Sequence, residues 1–104
     1  MKILQEPLEF EWDKGNIEKN LKEHGVSDKE AEEAFESPKK YIFKDEKHSL
    51  LEDRYMVWGV TKRNRKLAVF FTLRAEKVRI ISVRDMSRKE RRAYEKKIQS
   101  NTKV

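Results

Sequence analysis

Within Asp45-Glu-Lys-His-Ser-Leu-Leu-Glu-Asp-Arg-Tyr55 the chain places an imidazole, a carboxylate and a guanidinium close together, as His48, Glu52 and Arg54. Two further arginines, Arg79 and Arg84, follow in the run Val78-Arg-Ile-Ile-Ser-Val-Arg84. Histidine suits proton transfer because its unperturbed pKa is about 6.5. Arginine carries a permanent charge on a planar fork that matches phosphate oxygens. Such groups fit RNA cleavage by the neighbouring 2′-hydroxyl. A base removes its proton, guanidinium groups stabilise charge on the phosphorane-like transition state, and an acid protonates the leaving 5′-oxygen. That chemistry calls for no metal and no cofactor. The plain alternatives are a solvated or capping His48 and a noncatalytic basic surface that binds nucleic acid or an acidic protein.

Spacing ranks these residues. Glu52 and Arg54 are two apart and share a face if their strand begins that early. In a regular strand Arg79 lies with Ile81 and Val83, and Arg84 with Val78, Ile80 and Ser82, so the two arginines point to opposite sides. Only one of them then faces a groove. Arg84, at the strand end beside the last helix, is favoured, which leaves Arg79 to pair with a carboxylate such as Glu52. The segment Ser87-Arg-Lys-Glu-Arg-Arg-Ala-Tyr94 adds Arg88, Arg91 and Arg92 as phosphate contacts and Tyr94 as a base contact. Trp58, Phe70 and Phe71 occupy the most apolar runs and are expected in the core.

The elements that must position these groups are legible from periodicity and caps. Leu8-Glu-Phe-Glu-Trp12 alternates as a short edge strand. Asp13 is an N-cap for a helix over Lys14–His24, with Ile17, Leu21 and His24 on one face and Gly25 as its stop. Ser27-Asp-Lys-Glu30 is a capping box opening a second helix, which Ser37-Pro38 closes. Runs at Tyr41–Phe43, Tyr55–Thr61, Leu67–Leu73 and Val78–Val83 are strands, the last three joined as an antiparallel meander. Ser87-Arg-Lys-Glu90 is a second capping box, and its helix runs to about Gln99. The order β-α-α-β-β-β-β-α describes one α+β domain over residues 1–104, with an antiparallel four- to five-stranded sheet and helices on one face. Residues 1–7 and 100–104 are expected to fray. The last helix has few apolar positions, so it either docks loosely or is completed by a partner.

Composition narrows the partners. Of the 104 residues, 42% are charged, yet ten aromatics argue for a folded core over disorder. Residues 1–61 hold 10 Lys/Arg and 15 Asp/Glu, whereas residues 62–104 hold 15 and 4. The second half should attract a polyanion or an acidic protein. No basic helix has the apolar face needed to insert into a membrane. With no cysteine, no N-terminal apolar segment and no long apolar span, a cytoplasmic location is expected.

Taken in order, a set of residues resembles the BrnT family of type II toxin–antitoxin ribonuclease toxins. The set begins with Phe10-Glu-Trp-Asp13, Asn20-Leu-Lys-Glu-His-Gly-Val-Ser27, Glu30-Ala31 with Phe35, and Ser37-Pro38. It continues with Asp45-Glu-Lys-His-Ser49, Glu52-Asp-Arg54, Gly59, Thr72, Arg79-Ile-Ile-Ser-Val-Arg84 and Ser87 to Tyr94. The resemblance covers roughly residues 8 to 95 and rests on the ordered set. It implies a RelE-like fold, a metal-independent endoribonuclease that arrests translation, and a BrnA-type antitoxin that contacts promoter DNA as part of the complex. Carried over by motif, the site residues are His48, Glu52 and Arg54, then Arg79, Arg84 and Tyr94. Asp85 and Met86 depart from the family pattern, with a lowered positive potential at the groove mouth as the expected effect.

Overall fold

Side-chain caps set the helix starts in the computed structural model, which describes residues 8–48 and 52–102. Asp13 accepts from the N–H groups of Gly15 (2.8 Å) and Asn16 (3.4 Å) and opens α1 (Lys14–His24). Gly25 ends it at φ 62, a left-handed conformation that costs glycine little. The Ser27–Glu30 capping box opens α2 (Asp28–Glu36), and Ser37, before Pro38, closes it. Strands follow at β2 (Tyr41–Lys44), β3 (Arg54–Val60), β4 (Lys66–Arg74) and β5 (Lys77–Asp85), after the short β1 (Phe10–Glu11). A 3-10 turn, Glu46–His48, follows β2. α3 (Arg88–Thr102) continues past Gln99.

The five strands form one sheet in the order β1-β5-β4-β3-β2. β2 to β5 pair antiparallel, and β1 joins the β5 edge in parallel through Phe10 and Glu11, opposite Val78 and Arg79. Above that contact, among the described residues, β5 has no strand neighbour on its outer side, and α1 supplies hydrogen-bond partners in its place. Asn20 is 3% exposed and its Oδ1 accepts from the Val83 N–H (3.2 Å), while Asn16 Nδ2 donates to the Ile80 carbonyl (3.4 Å). An uncovered sheet edge needs polar partners. That is why α1 turns its asparagines inward, and why Leu21, expected on the buried face, is 55% exposed.

The helices lie on both faces, in contrast to the single covered face expected from sequence. α1 and α2 cover a core of Val26, Ala31, Ala34, Phe35, Val57, Leu67, Val69, Phe71, Val78, Ile80 and Val83. Phe35 stands edge-on to Phe10 (5.4 Å) and Phe71 (4.8 Å); burying such a ring contributes about 2 kcal/mol. α3 packs on the other face over Trp58, Ala68 and Met86. Its anchor is Tyr94, fully buried, with its hydroxyl donating to the Lys39 carbonyl (2.7 Å). One large buried residue compensates for a poor apolar stripe. Among the described residues no helix is long and apolar enough to cross a membrane.

Candidate nucleic-acid interface

A break in strand alternation decides where the arginines point. Val78, Ile80 and Val83 all belong to the core under α1 and α2, which no regular strand can achieve, since Ile80 and Val83 are three apart. The register explains it: Phe71 pairs with Ile80 and Phe70 with Ser82, so Ile81 is an extra residue bulged out of the ladder. Arg79 precedes the bulge and Arg84 follows it. The slip of one residue therefore brings both arginines to the same face, the one carrying α3, in place of the opposite faces that strict alternation dictates.

Arg54 joins them. It pairs in register with Thr72, which pairs with Arg79, so Arg54 and Arg79 lie in one row across β3, β4 and β5, with Arg84 farther along β5, opposite Ala68. The guanidinium carbons of Arg54 and Arg84 stand 5.2 and 5.4 Å from the centre of the Phe70 ring, one on each side along the sheet. Phe70 is half-buried, unlike Trp58 and Phe71. It was expected in the core, yet it is the aromatic around which two arginines gather. The signal available in sequence is its even spacing from Ala68 and Thr72, opposite in parity to the core residues Val69 and Phe71.

The grips on these arginines differ. Arg84 Nη1 and Nη2 donate to Glu90 Oε1 (2.6 Å) and Oε2 (3.1 Å). Arg79 lies 3.8 Å from both Glu11 Oε1 and Asp13 Oδ2, and Arg54 Nε lies 3.5 Å from Asp45 Oδ2. Side-chain exposures of 26%, 28% and 34% for Arg54, Arg79 and Arg84 leave all three within reach of a ligand. Glu52 bonds to Arg74 at 3.0 and 3.4 Å, so the Glu52–Arg79 pair expected from sequence gives way to a Glu52–Arg74 pair. The Arg74 bond holds the Glu52 carboxyl below the usual carboxylate range. His48 ends the 3-10 turn, and the Asp45 N–H after β2 bonds to the Arg54 carbonyl (2.7 Å), which ties this turn to the start of β3. The His48 side chain, and Ser49 of the same motif, lie outside the described residues.

The helix residues fall elsewhere. Glu90 meets Arg84, and Lys97 Nζ lies over Tyr41 (5.4 Å) and Phe43 (5.5 Å), marking the flank of α3 that faces the arginine group. Glu95, 3.7 Å from Lys66, marks the other flank, and Arg91, whose charge helps lower the Asp85 pKa, lies on it. At about 100° per residue, Arg88 and Arg92 turn to this second flank and to solvent. All three are exposed, yet they do not extend the group of Arg54, Arg79 and Arg84. Tyr94 is buried under the helix, so no base can stack on it. The expected weakening by Asp85 and Met86 also needs correction. Asp85 follows the bulge onto the α1 face, where it is bonded to Arg65 (2.7 and 3.0 Å), and Met86 is 4% exposed against Trp58 and Tyr94. Among the described residues no three His, Asp or Glu side chains gather as a metal site.

Comparison with known proteins agrees with this architecture. Residues 12–90 match the model of a family described as "Ribonuclease toxin, BrnT, of type II toxin-antitoxin system". Comparison with curated protein sequences returned no significant match. Among solved structures, the 1.1 Å crystal structure of the Brucella abortus ribonuclease toxin BrnT superimposes with a TM-score of 0.59. The sequences are 21% identical, over 78% of this chain and 99% of that one. At that identity the superposition speaks for the fold, while the family match spans most of the chain, including the bulged strand and both capping boxes. The chain belongs to the BrnT family of ribonuclease toxins of type II toxin–antitoxin systems.

Proposed function

We propose that this protein is a metal-independent endoribonuclease that stops translation by cutting RNA through attack of the 2′-hydroxyl. The observation that carries this reading is the convergence of Arg54, Arg79 and Arg84 on one partly exposed sheet face, brought about by the bulge at Ile81. Three guanidinium groups fixed on β3 and β5, on either side of β4, suit the extra negative charge that a phosphorane-like transition state gathers. Glu52, held ionised by Arg74, has no proton to donate and can serve only as the base. The proton for the leaving 5′-oxygen then falls to His48. Arg88, Arg91 and Arg92 draw RNA toward the molecule from a second flank. A BrnA-type antitoxin neutralises the toxin by covering the basic face, and promoter DNA is met through the antitoxin in the complex.

The test is incubation of the partner-free protein with labelled RNA in excess EDTA, beside Arg79→Ala. Discrete fragments with 5′-hydroxyl ends are expected, with the rate for Arg79→Ala lower by about 100-fold, as for loss of one transition-state donor. Arrest of a cell-free translation reaction, relieved by a BrnA-type antitoxin, tests the biological half. RNA that is bound but uncut, both free and in a translating extract, would assign the face to a noncatalytic binding role.

A further inference from the structure

Arg84 is held at both terminal nitrogens, and the carboxylate that holds it belongs to α3, with the Asp85 carbonyl accepting a further bond (3.2 Å). Glu90 presents both carboxylate oxygens to both terminal nitrogens of Arg84, at 2.6 and 3.1 Å. This two-point geometry is the one a phosphate uses on arginine. Glu90 Oε1 also accepts from the Ser87 N–H (2.8 Å), while Ser87 Oγ accepts from the Glu90 N–H (3.1 Å), so the same carboxylate closes the capping box of α3. Burial pushes the Glu90 carboxyl up, and the bonds from Arg84 and Ser87 outweigh it, leaving it ionised through the neutral range.

We propose that Glu90 is an internal stand-in for a phosphate group, and that RNA must displace it from Arg84 to engage that arginine. Glu90 is thereby a residue that sets substrate affinity. The inference rests on the reading of this face as an RNA site, and it goes beyond it by naming the competitor already seated there. Arg79, whose ion pairs with Glu11 and Asp13 stand at 3.8 Å among the described residues, receives the first phosphate, and Arg84 follows at the cost of the Glu90 pair. A merely supporting role for Glu90 makes the opposite prediction, because removing a support loosens Arg84 and weakens the complex.

The experiment measures affinity for a 2′-O-methyl RNA oligonucleotide, which binds without being cut, for four proteins: wild type, Glu90→Gln, Arg84→Ala and the double variant. Glutamine at this position still closes a capping box, so the helix start is kept. Displacement predicts that Glu90→Gln binds about tenfold more tightly than wild type, the worth of one competing charged bond. The same substitution made on Arg84→Ala should gain nothing. Weaker or unchanged binding by Glu90→Gln overturns the proposal, as does an equal gain without Arg84, which would be a general charge effect. Carboxylate carbon NMR of wild-type Glu90 gives a reading that needs no variant. Its signal must move when the oligonucleotide saturates the protein, and a signal that stays in place also overturns the proposal. If none of the four binds, the RNA reading of the face falls and takes this proposal with it; binding here beside a failure to cut unmodified RNA in the EDTA assay and in the translating extract removes the ribonuclease reading alone.

Discussion

Among single residues, Arg65 does the most to join elements, and no motif in the sequence singles it out. Its guanidinium donates to the Gly25 carbonyl (2.9 Å), the His24 carbonyl (3.0 Å), Glu30 Oε2 (3.2 Å) and both oxygens of Asp85 (2.7 and 3.0 Å). One side chain therefore ties the end of α1, the capping box of α2 and the end of β5. Arginine can do this because its donors form a rigid fork; lysine offers a point charge and cannot span these acceptors. Arg65→Ala should lower stability by about 2 kcal/mol, with Arg65→Lys recovering little of it, as read from urea unfolding midpoints. The pH dependence has a definite sign. The Arg65 bond holds Asp85 below its ordinary range; at Glu30 burial pushes upward, but Ser27 and Arg65 together leave the carboxyl depressed. A depressed folded pKa contributes stability above the unfolded value of about 4, and that stability is lost as pH falls through the folded value. The gap between wild type and Arg65→Ala should thus be wide at about pH 6 and narrow at about pH 3. A gap of constant width would mean that these carboxylates take no part.

At the level of elements, α2 and the sheet come into backbone contact at Gly59. A Cβ built there falls onto the Ala34 carbonyl oxygen and within 2.7 Å of its carbonyl carbon, so α2 rests directly on the β3 backbone. The obstacle is helix backbone, which cannot swing aside. Gly59→Ala must push α2 off the sheet and should cost about 3 kcal/mol, measured by thermal or urea unfolding; a variant as stable as wild type would show that α2 can slide at no cost. The contrast between this contact and the arginine group shows what a sequence reveals. Capping boxes at Ser27 and Ser87, the Asp13 cap and the Gly25 stop are local rules in which neighbours in sequence are neighbours in space, and each was legible. Alternation in the strands was legible too, up to Ile81. A bulge depends on how two strands share their register, and Val78-Arg-Ile-Ile-Ser-Val reads as a regular strand until β4 is laid beside it. The inward turn of Asn20 in place of Leu21 escaped for the same reason, since it answers to an edge of β5 that only the assembled sheet creates. The side of the sheet taken by α3 hangs on Tyr94 and the pocket that receives it.

For the whole molecule, the sheet separates two opposed charge layers. α2 carries five acidic residues and one lysine on one face, and α3 carries six Lys/Arg and two glutamates on the other. The molecule measures 28 Å along its shortest axis, so the two helical layers lie on the order of 20 Å apart across the sheet. That exceeds the Debye length of about 8 Å at physiological salt and falls inside the length of about 30 Å at 0.01 M. Consequently α2 opposes RNA binding only when salt is low. If Arg54, Arg79 and Arg84 each neutralise one phosphate of a single strand, the logarithm of affinity should fall with the logarithm of salt at a slope of about −2, and Arg79→Ala should flatten it by about 0.7. Glu33→Gln with Glu36→Gln, on the far face, should raise affinity for a 2′-O-methyl oligonucleotide at about 0.01 M salt and leave it unchanged at about 0.15 M. An equal gain at both ionic strengths would place RNA against α2 and sink the assignment of the binding face. The difference between the two salts thus locates the polyanion on one side of the sheet, with no substitution in the arginine group itself.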